Sequence, residues 1–87
     1  MARIFIPPGM RSRAGGLEMV DVPGATVRAA IAALDGQFPG MQDCLCQGNV
    51  LRNGWCVAVG GSVSSLGLLT KTGPDSEIHF LPLVGGG

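Results

Sequence analysis

The residues of this chain that are best placed to do chemistry stand at its end, where the sequence closes on Gly85, Gly86 and Gly87. Glycine loses more conformational entropy on ordering than any other residue, so such a tail adds nothing to a core. Because it lacks side chains, it can thread a narrow channel, and the six residues from Pro82 onward span roughly 20 Å when extended. The sequence therefore suggests that the carboxylate of Gly87 is delivered into the active site of another protein.

The other reactive side chains form no catalytic or metal-binding pattern. His79 is the only histidine, so every cysteine–histidine or serine–histidine arrangement would have to use it. Cys44 and Cys46 are separated by one residue, which is not the usual spacing of a zinc knuckle, and Cys56 has no second pair to complete a site. We therefore expect the thiols to be incidental, with no metal bound, and we do not expect the chain to be an enzyme.

Length and composition restrict the remaining classes. Eighty-seven residues make one small domain, and the hydrophobic fraction of 46% is too high for a disordered chain. Six basic residues balance six acidic ones, which argues against nucleic acid as a partner. No apolar stretch approaches the roughly 20 residues of a membrane span. The absence of a secretory signal and the odd number of cysteines predict a cytoplasmic location.

One helix is strongly indicated at about residues 26–38. Thr26 stands where a side-chain oxygen would cap the first turn. An apolar stripe with spacings of three and four follows it, formed by Val27, Ala30, Ile31, Leu34 and Phe38. Gly36 and the Phe38-Pro39-Gly40 segment predict the end of the helix.

Alternating apolar residues predict strands at residues 3–8, 18–22, 55–59 and 77–81, with a short return strand beginning at Val63 after a Gly60-Gly61 hairpin turn. Residues 41–54 show no clear period beyond a possible strand near 49–52. We expect the connection after Val63 to contribute core side chains, namely Leu66, Leu68 and Leu69. The order β-β-α-β-β-β with a single helix predicts an α+β roll of four to five strands in residues 1–82, with the first and last strands parallel at its centre.

The last strand has two different faces. Ile78 and Phe80 point to one side, and His79 and Leu81 point to the other, because side chains alternate along a strand. We place Phe5 of the first strand beside His79 and Leu81, on the sheet face away from the helix. Apolar residues on an uncovered face suggest contact with a partner protein.

Several segments, in this order, resemble the MoaD/ThiS family of ubiquitin-like sulfur carriers over nearly the whole chain. The molybdopterin synthase small subunit is the most similar type. The matching segments are the short apolar first strand, residues 22–31 opening the helix, residues 38–40 closing it, residues 57–61 at the hairpin, and residues 77–87 at the end. The last segment is the most specific, because it combines an acidic residue, an apolar strand, Pro82, Val84 and a terminal diglycine.

The resemblance implies a β-grasp fold and a carrier function. An E1-like adenylyltransferase would use ATP to adenylate Gly87, a sulfur donor enzyme would convert the adenylate to a thiocarboxylate, and the synthase large subunit would draw sulfur from it. Gly86 completes the diglycine, and Gly85 stands where the family often has a small residue. We expect Pro82 and Val84 to contact partners as well. The chain itself would bind no cofactor.

Three alternatives remain open at this point. Related carriers supply sulfur for thiamine, cysteine or other metabolites, and the turn at residues 73–77 and the Pro82-Leu83 pair depart from the usual family pattern. Gly87 could instead be joined to a lysine of a target protein, as in ubiquitin-like modifiers. The chain could also be a binding module with no tail chemistry.

Overall fold

A mixed five-stranded sheet with a helix packed on one face forms the centre of the molecule in a computed structural model, which describes residues 1–82. The strands are β1 (Ala2–Phe5), β2 (Met19–Val22), β3 (Cys46–Gln47), β4 (Val50–Leu51), β5 (Trp55–Val59), β6 (Ser62–Val63) and β7 (Glu77–Pro82). The α-helices are α1 (Val27–Gln37) and α2 (Met41–Leu45), and 3-10 helices span Pro8–Ala14 and Gly67–Leu69. The predicted tail, residues 83–87, lies outside the described residues.

The strand order is β2-β1-β7-β5-β6, with β1 and β7 parallel in the middle and the other neighbours antiparallel. The predicted roll and its central parallel pair are therefore confirmed. The turn between β5 and β6 is made by Gly60 and Gly61, with φ of 62° and 86°. Both values lie in the left-handed region, where glycine is the favoured residue, which explains the Gly-Gly pair at this hairpin. Strands β3 and β4 form a separate small hairpin.

Helix α1 begins and ends as predicted. The Thr26 hydroxyl oxygen accepts a hydrogen bond from the Ala29 amide at 3.1 Å, and the Phe38 amide donates to the Leu34 carbonyl at the other end. Gly24 allows the backbone before α1 to pass close to the backbone at Ala30. A Cβ at this position would lie 2.7 Å from the Ala30 nitrogen, and its φ of +152° is rarely adopted by other residues.

The core lies between α1 and the sheet face that it covers, which we call the inner face. Helix α1 contributes a stripe of buried residues at the predicted spacing, namely Val27, Ala30, Ile31 and Leu34. The inner face contributes alternate residues of the strands, namely Ala2, Ile4, Val20, Val22, Val57, Ile78 and Phe80. The predicted orientation of β7 is confirmed, because Ile78 and Phe80 belong to the core and their neighbours do not.

The prediction of a single helix is wrong, because residues 41–45 form α2. Its apolar contribution is only Met41 and Leu45, both fully buried and four residues apart. One such pair is too short to show a helical period in the sequence. The start of α2 is held by Asp35, whose Oδ1 accepts the amides of Gly40 and Gln42 at 3.0 Å each. The expected strand near residues 49–52 is present as β4.

The expectation that Leu66 and Leu69 join the core is also wrong. Leu68 is buried, whereas Leu66 is 62% exposed and Leu69 is 70% exposed. The segment folds as a 3-10 helix, in which residues three apart lie on the same side. Only one side can face the interior, and that side carries Leu68.

The first strand is shorter than predicted and ends at Phe5 rather than residue 8. Pro7 has no amide hydrogen for a sheet ladder, and Pro8 suits the first position of a helix. The connection from β1 to β2 contains a 3-10 helix, which buries Ala14 and ends at Gly15 with a φ of 65°.

Candidate functional site

The sheet face opposite α1, here called the outer face, carries a row of side chains that crosses all five strands. Met19 pairs with Phe5, Phe5 with His79, His79 with Ala58, and Ala58 with Val63. Four of these five side chains are apolar, and we call the set the apolar row. Met19 is 40% exposed and Val63 is 65% exposed, so much of the row is open to solvent.

The centre of the apolar row is a stacked pair of rings. The centroids of the Phe5 and His79 rings are 4.1 Å apart, and the ring planes differ by 11°. Ala58 on the next strand is 5% exposed, yet it is not part of the core between the sheet and α1. Ala58 is therefore buried on the outer face, where its cross-strand partners are His79 and Val63.

A second row, which we call the charged row, lies next to the apolar row toward the beginning of β7. It consists of Asp21, Arg3 and Glu77 on adjacent strands. The Arg3 Nε donates to Asp21 Oδ1 at 2.8 Å. The hydrogen bond from Arg3 lowers the pKa of the Asp21 carboxyl, and the same bond raises the pKa of the Arg3 guanidinium. Both groups are exposed, so this pair is a solvated surface ion pair.

The opposite side of the apolar row, toward the end of β7, is occupied by Leu81 and Cys56, which pair across β7 and β5. Leu81 is 40% exposed. The next pair is Pro82 with Trp55, and β1 no longer pairs with β7 at this point, because its last partner there is His79. A proline is accommodated here since no amide of β7 is required on that side. The described part of β7 thus ends beside the apolar row.

The structure brings together most of the predicted partner-binding residues. Phe5, His79 and Leu81 lie on the outer face, and Pro82 ends the strand beside them. The predictions for Val84, Gly85, Gly86 and Gly87 lie outside the described residues.

Sequence reasoning missed Met19, Ala58 and Val63 as members of this surface. In β2, Met19 alternates with the buried Val20 and Val22 and so faces away from the core. However, only the strand order shows that these three residues extend the Phe5–His79 pair in both directions across the sheet.

The three cysteines do not converge. Cys46 is buried in the core, and burial raises the pKa of its thiol, whereas Cys44 and Cys56 are partly exposed. Within residues 1–82, no three side chains of the histidine, cysteine, aspartate or glutamate type lie close enough together to hold a metal ion. In the same part of the chain, no helix is long and apolar enough to cross a membrane.

Comparison with known proteins gives matches among solved structures over the whole chain. No protein-family model and no curated protein sequence matches it. A chain in the crystal structure of the Amycolatopsis orientalis BexX/CysO complex is similar at 26% identity, with a TM-score of 0.89 and complete coverage of both chains. Mycobacterium tuberculosis CysO is similar at 25% identity and a TM-score of 0.86, over 97% of this chain and 100% of that one.

A third match extends the comparison to archaea. SAMP1 from Haloferax volcanii is 27% identical, with a TM-score of 0.71, over 99% of this chain and 98% of that one. The five-stranded sheet, the position of its helix and these whole-chain matches agree with the predicted β-grasp fold. The chain has a ubiquitin-like β-grasp fold and is similar over its whole length to sulfur carriers of the MoaD/ThiS type.

Proposed function

We propose that this chain carries sulfur as a thiocarboxylate on Gly87, its last residue. The observation that supports the proposal most strongly is the position of the apolar row beside the end of β7. An enzyme that takes residues 83–87 into its active site has to lie against this part of the sheet, since five extended residues span only about 17 Å. The apolar row and Leu81 then form the surface on which that enzyme docks.

In the proposed reaction, the Gly87 carboxylate attacks the α-phosphate of ATP, forming an acyl-adenylate and releasing pyrophosphate. A carboxylate is a poor electrophile, and AMP provides the leaving group. A sulfur donor enzyme then supplies a hydrosulfide equivalent, whose sulfur bonds to the carbonyl carbon while AMP departs. The product is the thiocarboxylate. In this scheme the chain is not an enzyme and binds no cofactor, because the E1-like adenylyltransferase binds ATP and performs the activation.

For the recipient of the sulfur, we propose the large subunit of molybdopterin synthase, on the resemblance of the segment that ends in Pro82, Val84 and the terminal glycines. We also propose a cytoplasmic location, because the free thiols at Cys44, Cys46 and Cys56 suit a reducing compartment.

The similarity to SAMP1 favours a second candidate function. That protein is named a small archaeal modifier protein, so Gly87 of this chain could be joined to a lysine of a target protein. Both functions require the same activation and differ only in the acceptor. Intact-mass measurement of the chain purified from its own host separates them. A thiocarboxylate appears as one oxygen replaced by sulfur on the free chain, whereas a modifier appears as isopeptide-linked adducts.

The activation step is tested by deleting Gly86 and Gly87. The deletion is expected to abolish ATP-dependent adenylation by the cognate E1-like enzyme, measured as ATP–pyrophosphate exchange. It should leave thermal unfolding unchanged, because these residues provide no side chain to bury. A matched control replaces the exposed Leu69 with alanine, which keeps the tail and should leave exchange at the wild-type level. Normal exchange by the truncated chain would refute the proposal.

A further inference from the structure

His79 occupies an unusual place for a residue that can gain a charge, because it lies at the centre of the apolar row. Its ring is stacked on Phe5, its cross-strand neighbour on the other side is Ala58, and its side chain is 37% exposed. It is the only histidine of the chain. An imidazole can be neutral or protonated, so this centre can carry either no charge or one positive charge.

Few charged groups face the His79 ring from the elements around it. On β7, Glu77 Oε1 lies 3.8 Å from His79 Nε2, and its side chain is 56% exposed. On β1, the neighbour is Phe5, and the nearest cation, Arg3, is one row away and already paired with Asp21.

The remaining neighbours of His79 on its own and adjacent strands carry no formal charge. On β5 the cross-strand neighbour is Ala58, and the next row holds Cys56 opposite Leu81. In the free chain, water, the face of the Phe5 ring and the Glu77 carboxylate all accommodate a protonated His79.

Docking removes the water from this centre. Burial of a cation in apolar surroundings is costly unless a counter-charge and hydrogen bonds replace the water. Glu77 belongs to the charged row, next to the apolar row. Among the described residues of the outer face, it is the carboxylate that approaches the His79 ring. A neutral imidazole, by contrast, remains a flat ring stacked on Phe5 and adds to the apolar contact area.

We infer that the apolar row docks with His79 neutral against an apolar, uncharged surface of the E1-like adenylyltransferase, and that protonation of His79 weakens this docking. The inference rests on the proposed carrier function and specifies the kind of partner surface. It makes delivery of the tail sensitive to acid. The binding of a proton to His79 and the binding of the partner then oppose each other, and docking at mildly acidic pH releases a proton.

The test measures the affinity of the full chain for the cognate adenylyltransferase between pH 7.5 and pH 5.5. If only neutral His79 docks, affinity should fall as the pH is lowered across this interval. The variant His79→Gln cannot protonate there and should change by less than about twofold. Thermal melts of both proteins at each pH serve as the folding control.

A calorimetric readout sharpens the test. Calorimetry of wild type at pH 6 in two buffers of different ionisation enthalpy should show a proton released on docking, and His79→Gln should lose this release.

The two proposals fail in different ways. The inference alone is overturned if adenylation is normal at pH 8 but binding of the wild type does not depend on pH or becomes tighter in acid. It is also overturned if His79→Gln loses affinity in acid as steeply as the wild type does. Absence of adenylation at pH 8 would overturn the carrier function and this inference with it.

Discussion

The two faces of the five-stranded sheet are made by the same strands but are used differently. On β1, Ile4 is fully buried on the inner face, while Phe5 beside it is only partly covered on the outer face. On β7, Ile78 is fully buried and His79 remains partly exposed. A sheet of this kind usually has one face in the core and a polar face in water. Here half of the outer face remains apolar although no helix within residues 1–82 covers it.

The outer face is polar in one part and apolar in another. Its charged row, Asp21, Arg3 and Glu77, is solvated, whereas the next row toward the end of β7 is apolar. The surface changes from charged to apolar over two residues along each of these strands. Because the apolar part lies beside the end of β7, we place the proposed docking surface at this end of the face.

Substitutions at two adjacent residues of β7 should give the largest difference in effect between the two faces. Phe80→Glu places a carboxylate in the core, where Phe80 is 5% exposed, and should cost about 4 kcal/mol or more of unfolding free energy. Leu81→Glu should leave the fold intact and weaken binding to the adenylyltransferase, with a smaller loss for Phe5→Glu.

Denaturant melts and partner titrations of these variants measure both effects. An unfolded Leu81→Glu protein would mean that the register of β7 is shifted by one residue, which would exchange the two faces. A folded Leu81→Glu protein with wild-type affinity would refute the docking surface.

The helix that covers the inner face provides the next test. Ile31→Ala or Leu34→Ala should lower the unfolding free energy by about 2–4 kcal/mol, because both side chains are fully buried. Leu69→Ala is the matched control at an exposed leucine and should change it by less than about 0.5 kcal/mol. Urea melts of the three variants decide the matter, and equal effects at Leu34 and Leu69 would contradict the burial of the helix stripe.

The start of the same helix should contribute less. Thr26→Ala removes the hydroxyl that accepts the Ala29 amide and should cost about 1 kcal/mol of stability, whereas Thr26→Asp keeps an acceptor and should stay near wild type. Thermal and urea denaturation measure both. A stable alanine variant combined with a destabilised aspartate variant would argue against the cap.

The cysteines compare the core with the outer face without any substitution. Burial raises the pKa of the Cys46 thiol, so its reactive thiolate is scarcer at pH 8 than it would be in water. Alkylation at Cys46 should be at least about tenfold slower than at Cys56, which lies on the outer face and is partly exposed. Peptide mapping after a timed iodoacetamide pulse gives both rates. As a control, both cysteines should be alkylated at similar rates in urea. Similar rates in the folded chain would show that Cys46 is accessible.

The smallest effect is expected from the charged row. Arg3 lowers the pKa of Asp21, so the folded chain holds this carboxylate ionised more readily than the unfolded chain does. The stabilisation is therefore present at neutral pH and is lost as the pH falls through that lowered pKa. Urea midpoints of wild type and Arg3→Gln should differ slightly at pH 7 and converge near pH 2. A large difference at neutral pH would mean that the pair is more than a surface ion pair.

Local patterns in the sequence were sufficient for the elements that repeat over many residues. The α1 stripe, its Thr26 cap and the two faces of β7 were predicted correctly, because burial of one face imposes a period of about 3.6 in a helix and 2 in a strand. The central parallel pair also followed from the element order. By contrast, α2 was missed because it is a single turn, and Leu66 and Leu69 were assigned to the core because apolar type alone does not give orientation.

What the sequence by itself determined was therefore the inward side of each long element, together with the segments that resemble sulfur carriers. The tertiary structure decided which outward side chains become neighbours. The apolar row is assembled from five strands that are spread over the chain between β1 and β7, and strand order and register place its members side by side. They are Met19, Phe5, His79, Ala58 and Val63. Pairing across strands depends on long-range hydrogen bonds and on the shared core, and the pattern within one strand carries no record of its neighbour.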